Sequence, residues 1–123
     1  MNSEVKEFLK DLKHSRKTEI ADLTTKITTS FPKFEPEIKW NAPSFKLNGV
    51  NIVTFQLFPD PAFRIILHLG SKKIVKPPDL RFEILKLKHK WADSTRCVIT
   101  VDEELNFQAL NKVIKEWIKR SVL

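Results

Sequence analysis

The sequence has few of the residues on which many active sites depend. It contains one cysteine, Cys97, and two glycines, Gly49 and Gly70. A single cysteine excludes an intrachain disulfide and a cysteine-rich zinc site. Two separated glycines disfavour a phosphate-binding loop of the P-loop or dinucleotide type, since such loops bring the backbone close to phosphate with several glycines. No G-x-S-x-G sequence is present, and the three histidines lie far apart. These absences favour a binding or accessory protein over an enzyme.

Long apolar runs are also missing. The longest apolar stretches, such as residues 65–67, are far shorter than the roughly 20 residues of a membrane helix. The N-terminal residues show no apolar segment followed by a small-residue cleavage site, so they do not predict a secretory signal. We therefore expect a cytoplasmic protein. Cys97 lies in a strand-like run and is predicted to be a buried, inert thiol.

The residues that are present can form one hydrophobic core. The chain has 123 residues, of which 41% are hydrophobic, and this suits a single domain spanning residues 1–123. Helical spacing of apolar residues predicts three helices, at about residues 3–12, at about 17–29, and after residue 102. Ser3 and Asp102 are the predicted N-caps of the first and the last.

Between the helices the apolar period changes to two. Asn48-Gly49 separates two alternating runs and predicts a tight hairpin, because both turn residues take positive φ. Further alternation predicts strands at about 63–69 and 96–101, and an edge strand at 85–91. The predicted fold class is α+β, with two N-terminal helices, an antiparallel sheet of about four to five strands and one C-terminal helix. The helices should cover one sheet face and leave the other partly open.

Two blocks of sequence carry a resemblance to a known family. The first is EIKWNAPSF at residues 37–45, and the second is LHLGSK at residues 67–72. Together with VTF at 53–55, Trp91 and the closing helix, they resemble the YdhG-like family of small domains over nearly the whole chain. The resemblance implies an α+β fold with an antiparallel sheet and a function that is largely unassigned. Some members are described as frataxin-like iron chaperones, so it also implies iron delivery as one function.

The first block concentrates groups that bind small polar molecules. Lys39, Trp40, Asn41 and Ser44 supply a cation, an aromatic plate, an amide and a hydroxyl close together in the chain. Such a set could hold a small polar or anionic ligand by stacking and hydrogen bonding. The alternative is that Trp40 fills the core and Asn41 caps a turn.

Two further residues are predicted to belong to this ligand site. His68 alternates with an apolar strand face, so it should point towards the more open side of the sheet. There it could carry a proton or bind a ligand near neutral pH. The alternative is a histidine that is hydrogen-bonded within the sheet. Trp91 could form a second wall of the pocket or pack in the core.

The net charge of +7 is concentrated in one segment. Residues 71–90 carry seven basic and two acidic side chains, whereas residues 91–123 carry five of each. The segment predicts either an anion-binding or nucleic-acid-binding surface, by non-specific attraction to phosphate, or a solvated edge protected by lysine. The candidate residues for nucleic acid are Lys72, Lys73, Lys76, Lys86, Lys88 and Lys90.

An iron site would need hard oxygen ligands. Glu4, Glu7 and Asp11 share a face of the first predicted helix and are the candidates. Three lysines are interleaved with them, a pattern typical of a solvated helix with ion pairs. The net charge of +7 also disfavours long-range attraction of an iron cation. The sequence therefore predicts no metal ligands, no cofactor and no catalytic residues.

Overall fold

A computed structural model of the chain describes residues 2–68, 84–93 and 95–121. These residues form three α-helices, a short 3-10 turn and six strands. In chain order the elements are α1 (Ser3–Asp11), α2 (Lys17–Ser30), β1 (Glu35–Lys39), β2 (Ala42–Leu47), β3 (Val50–Gln56), β4 (Phe63–His68), the 3-10 turn (Ile84–Lys86), β5 (His89–Asp93), β6 (Arg96–Val101) and α3 (Phe107–Ser121). The α+β class is confirmed, and the sheet has slightly more strands than predicted.

The six strands form one antiparallel sheet in the order β1-β2-β3-β4-β6-β5. The Asn48-Gly49 hairpin is confirmed: both residues have positive φ, 53° and 78°, and they join β2 to β3. The edge strand predicted at 85–91 instead begins at His89, after the 3-10 turn. No helix among the described residues is both long enough and apolar enough to cross a membrane.

The register of the strands defines two faces of the sheet, since paired residues point to the same side. Phe45, Val53, Leu67 and Cys97 follow one another across the strands on one face and are all buried. They belong to the same hydrophobic cluster as the buried residues of the helices. Burial raises the pKa of the Cys97 thiol to about 11, so it stays protonated at neutral pH. The opposite face carries the polar residues considered below.

The two predicted N-caps are wrong, the first by one residue and the second by four. The side chain of Asn2, not Ser3, accepts the N–H of Val5 at 3.0 Å and caps α1. At the start of α3, Asn106 accepts the N–H of Ala109 at 3.1 Å. Asp102 lies outside that helix and pairs with Lys88. In both places two cap-forming residues lie close together in the chain, and local sequence preference does not decide between them.

Strand β1 lies at the outer edge of the sheet and is held by the first turn of α1. The carboxylate of Glu4 accepts the backbone N–H of Ile38 at 2.8 Å. The amide of Asn2 donates to the backbone carbonyl of Pro36 at 2.6 Å. These two side chains satisfy backbone groups of β1 that have no neighbouring strand to pair with.

Candidate functional site

The tip of the β1–β2 hairpin presents an exposed tryptophan. Trp40 and Asn41 form the two-residue turn, with φ of 52° and 59°, so both adopt the left-handed conformation. Turns of this kind are usually built from glycine, asparagine or aspartate. A bulky residue in this conformation costs roughly 1–2 kcal/mol. The Trp40 side chain is 71% exposed, so it does not fill the core.

The ammonium of Lys39 lies over this ring and is held by a polar network. Its ammonium is 4.9 Å from the centre of the Trp40 ring and donates to the Asn51 side-chain oxygen at 3.1 Å. The Asn51 amide donates in turn to Glu37 at 2.9 Å and to the Ser44 hydroxyl at 2.7 Å. The hydrogen bond from Asn51, followed by the ion pair with Lys46 and the positive charge of Lys39, holds the pKa of Glu37 below its usual value.

Ser44 lies beneath the network rather than at the surface. Its side chain is fully buried, and its hydroxyl also lies 2.7 Å from the hydroxyl of Thr54. Each of its contacts is to another protein group, so its role in this geometry is to support Asn51.

His68 ends β4 on the same side of the sheet as Lys39. Its ring centre is 6.3 Å from that of Trp40, with the two planes inclined by 46°. Within the described part of the chain its Nε2 atom is buried and has no hydrogen-bond partner. Burial above all, and then the positive charges of Arg96 and Lys39, lowers the pKa of His68 below its usual value. The imidazole is therefore neutral at neutral pH, with two cations close to it.

Arg96 lies across from Lys39 and Trp40 and is oriented by a carboxylate. The guanidinium of Arg96 donates to one carboxylate oxygen of Asp93 from two nitrogens, at 3.1 and 3.3 Å. The other oxygen of Asp93 accepts both the N–H and the hydroxyl of Thr95, each at 2.7 Å. The Thr95 hydrogen bonds, with a smaller effect of Arg96, lower the pKa of Asp93 to about 2. This carboxylate stays ionised and orients Arg96.

The residues described above line an open groove of about 530 Å³, which lies on the face of the sheet opposite the core. Its lining contains two cations, Lys39 and Arg96, and one carboxylate, Asp93, which is already paired with Arg96. The full lining consists of Lys39, Trp40, Gly49, Val50, Asn51, His68, Asp93, Thr95 and Arg96. Its character is therefore cationic, with an aromatic side chain at the rim.

Two β-bulges turn the remaining polar residues into the groove. A register shift between Phe45 and Lys46 pairs Lys46 with Asn51, so Asn51 faces the groove although Val53, two residues later, faces the core. A second shift places Asp93 opposite Arg96, while Trp91 pairs with a core-face residue. One extra residue reverses the face of the following side chain. Sequence reasoning did not find Asn51 or Asp93, because simple alternation gives no sign of the bulges, and it did not find Arg96, because alternation does not show that β6 pairs with β4.

The structure brings together three of the predicted ligand residues, Lys39, Trp40 and His68. Asn41 instead lines a separate groove beside α1. Trp91 lies on the helix-covered face, where its ring stacks on Trp117 at 5.6 Å and 26°. The indole N–H of Trp117 donates to the backbone carbonyl of His68. The core therefore holds the end of β4 that carries His68.

The basic segment is only partly described. Lys72, Lys73 and Lys76 lie outside the described residues. Lys86, Lys88 and Lys90 lie inside them. Lys88 forms an ion pair with Asp102 at 2.5 Å, so its charge is locally balanced. Lys90 is exposed on the edge strand β5.

The described residues form neither a metal site nor a catalytic triad. Across residues 2–68, 84–93 and 95–121, no group of three or more His, Cys, Asp or Glu side chains is placed to hold a metal ion. Ser15, His14 and Asp60 resemble a catalytic triad in composition, but the Ser15 hydroxyl donates to Asp60 rather than to His14. The Nδ1 atom of His14 accepts the N–H of Arg16 at 3.0 Å, so its Nε2 donates to the carbonyl of Leu57 at 2.7 Å. This histidine holds backbone groups together and has no free nitrogen for proton transfer.

The lowered pKa of His68 predicts a pH-dependent loss of stability. The unfolded chain binds a proton on His68 more readily than the folded chain does. The stability that His68 contributes to the folded chain is therefore fully present above its ordinary pKa of 6.5. We expect that contribution to be lost as the pH falls through the lowered pKa. Thermal unfolding from pH 7.5 to 5 should therefore show a larger fall in midpoint for the wild type than for His68→Gln. Equal falls in the two proteins would contradict the prediction.

Comparison with known proteins supports the fold. The chain is similar to the crystal structure of YdhG, a Bacillus subtilis protein of the DUF1801 family, with a TM-score of 0.63 and 17% sequence identity. The alignment covers 91% of this chain and 86% of that one. The fold is thus the one that the resemblance of the two sequence blocks implied. No family model matches the chain. No curated protein matches it either.

Proposed function

We propose that this protein is a small binding domain that holds a small anionic molecule in the groove between Trp40 and Arg96. The observation that carries the proposal is that two cations, Lys39 and Arg96, line the same groove as His68, whose Nε2 atom has no partner among the described residues. The three residues come from different strands, and the fold brings them to one groove.

The charges favour an anion over a cation or a neutral molecule. Both Lys39 and Arg96 are close enough to His68 to lower its pKa. Asp93 balances one of these charges, and the groove retains the other. An anion entering the groove gains charge-assisted hydrogen bonds, which are shorter and stronger than neutral ones.

The unpartnered nitrogen of His68 is a further reason to expect a ligand in the groove. A buried nitrogen with no partner costs roughly 1–3 kcal/mol. A ligand that reaches Nε2 would offer it a partner and recover part of that cost. A bound anion would also favour the protonated imidazole, which then donates to it.

The test is calorimetric titration with phosphate, sulfate and citrate. We expect at least one of them to bind the wild type at millimolar concentration or below. The double variant Lys39→Gln, Arg96→Gln should bind about tenfold more weakly or worse, because each charge-assisted hydrogen bond contributes roughly 1.5–3 kcal/mol.

The matched control is Lys33→Gln, Lys115→Gln. It removes the same total charge from two exposed positions outside the groove. Its affinity should stay close to that of the wild type. Equal weakening in both double variants would show general attraction by net charge and contradict the proposal, as would a wild type that binds none of the three anions.

The two other hypotheses from the sequence stay predictions. Binding of nucleic acid by residues 72–90 depends on lysines of which Lys72, Lys73 and Lys76 lie outside the described residues. Iron delivery depends on carboxylates of α1, of which Glu4 is already bonded to the backbone of Ile38. The groove is the proposal that the described contacts support best.

A further inference from the structure

We infer that the ligand is a planar aromatic anion: a flat ring that stacks on Trp40 and bears a phosphate or carboxylate held by Lys39 and Arg96. This inference rests on the proposed function and adds the ring to it.

The indole of Trp40 lies where the fold has no need of it. The side chain is 71% exposed, and its backbone has the positive φ that glycine and asparagine adopt most easily. Asparagine would serve the turn better, as Asn41 and Asn48 do at their own positive-φ positions. A strained, exposed aromatic residue at the rim of a groove is the arrangement expected for ligand stacking.

The cation and the ring are at the correct relative distance for one ligand. The Lys39 ammonium is 4.9 Å from the centre of the Trp40 ring and is fixed by Asn51 at 3.1 Å. The ammonium lies over the indole, so an anionic group bound to it is close to the indole, and a ring attached to that group can reach the part of the indole that Lys39 does not cover. Nucleotide bases and other flat heterocycles stack on tryptophan in this way with little dependence on sequence or substituent.

The groove is also larger than a simple anion requires. Its volume of about 530 Å³ falls in the range of small-molecule sites, roughly 300–1,000 Å³. Beside the two cations, the lining holds the neutral polar side chains of Asn51, Thr95 and His68, and the Nε2 atom of His68 has no partner among the described residues. Val50 adds an exposed apolar contact near the rim.

The experiment compares four probes by calorimetry: adenosine 5′-monophosphate, nicotinate, adenosine and inorganic phosphate. Adenosine 5′-monophosphate and nicotinate distinguish a phosphate-bearing from a carboxylate-bearing ring. We expect at least one of these two to bind about tenfold more tightly than inorganic phosphate, and adenosine, which has no charge, to bind more weakly than its monophosphate.

The variant Trp40→Asn tests the contribution of stacking to binding separately from the contribution of the anionic group. It suits the left-handed turn, so its unfolding midpoint should not fall below that of the wild type. It should weaken binding of the preferred aromatic anion about tenfold and leave phosphate binding nearly unchanged. Trp40→Phe, which keeps a smaller ring, should give an intermediate affinity.

The outcomes distinguish the two claims. If phosphate binds through Lys39 and Arg96 but neither aromatic anion binds more tightly, the inference is overturned and the anion groove stands. If Trp40→Asn weakens phosphate as much as the aromatic anion, stacking is also refuted. If none of the four probes binds the wild type, the inference is overturned, and the proposed function fails with it when sulfate and citrate do not bind either.

Discussion

Replacing Trp117 by alanine is expected to lower the free energy of unfolding by about 3–5 kcal/mol, the range for a buried tryptophan reduced to alanine. The side chain is fully buried, stacks on Trp91 at 5.6 Å, and donates its indole N–H to the carbonyl of His68. Alanine removes the stack, the hydrogen bond and most of the buried apolar surface. Urea unfolding followed by circular dichroism measures the change, provided that the slope with denaturant is unaltered.

The variant Trp117→Phe is the informative partner of this experiment. It keeps an aromatic ring against Trp91 but cannot donate to His68, so it should lose roughly 1 kcal/mol for the hydrogen bond, with a further cost for the smaller ring. Because that bond holds the end of β4, we also expect Trp117→Phe to weaken anion binding although the residue lies on the other face. A loss below about 1.5 kcal/mol in Trp117→Ala would contradict the packing described for α3.

The second large effect is expected for His14→Ala, at about 3 kcal/mol. The side chain is buried and its two nitrogens bond the backbone at Arg16 and Leu57, which belong to distant parts of the chain. Alanine leaves a backbone N–H and a carbonyl without their partners, at roughly 1–3 kcal/mol each where water cannot replace them. The ring also contacts Phe58 and Phe63, at 5.4 and 6.5 Å between centres.

Ser15→Ala is the matched control for His14→Ala. Ser15 is the next residue and also bonds across the chain, to Asp60, but at an exposed position. Its loss should cost less than about 1 kcal/mol, because water can replace the hydroxyl. Comparable losses in the two variants would show that the segment as a whole, and not the buried imidazole, is responsible.

Local patterns in the sequence predicted most of the fold. The apolar stripe of α3 and the Asn48-Gly49 turn each depend on neighbouring residues, and both are confirmed. Strand β1 was missed because it is short, contains Pro36 and ends in a turn without glycine. Its position at the edge of the sheet explains how a proline is tolerated there.

The site was harder to predict than the fold, for a geometric reason. Lys39 and Trp40 are neighbours in one distinctive block, and His68 follows from simple alternation along β4. Arg96 reaches the groove because β6 pairs with β4 and sets it opposite His68, and the order of strands cannot be read from local periodicity. Asp93 depends on a bulge as well, and for Trp91, which precedes that bulge, the structure has the core packing that was one of its two predicted alternatives.

The attachment of β1 to α1 has a consequence for how molecules of this protein meet one another. An outer strand with free backbone groups is a template on which a second chain can add by edge-to-edge pairing. Here the N–H of Ile38 and the carbonyl of Pro36 are already occupied by Glu4 and Asn2. Two polar side chains, one from the cap and one from the first turn of α1, therefore oppose intermolecular sheet growth at this edge, beside the hairpin that carries Trp40.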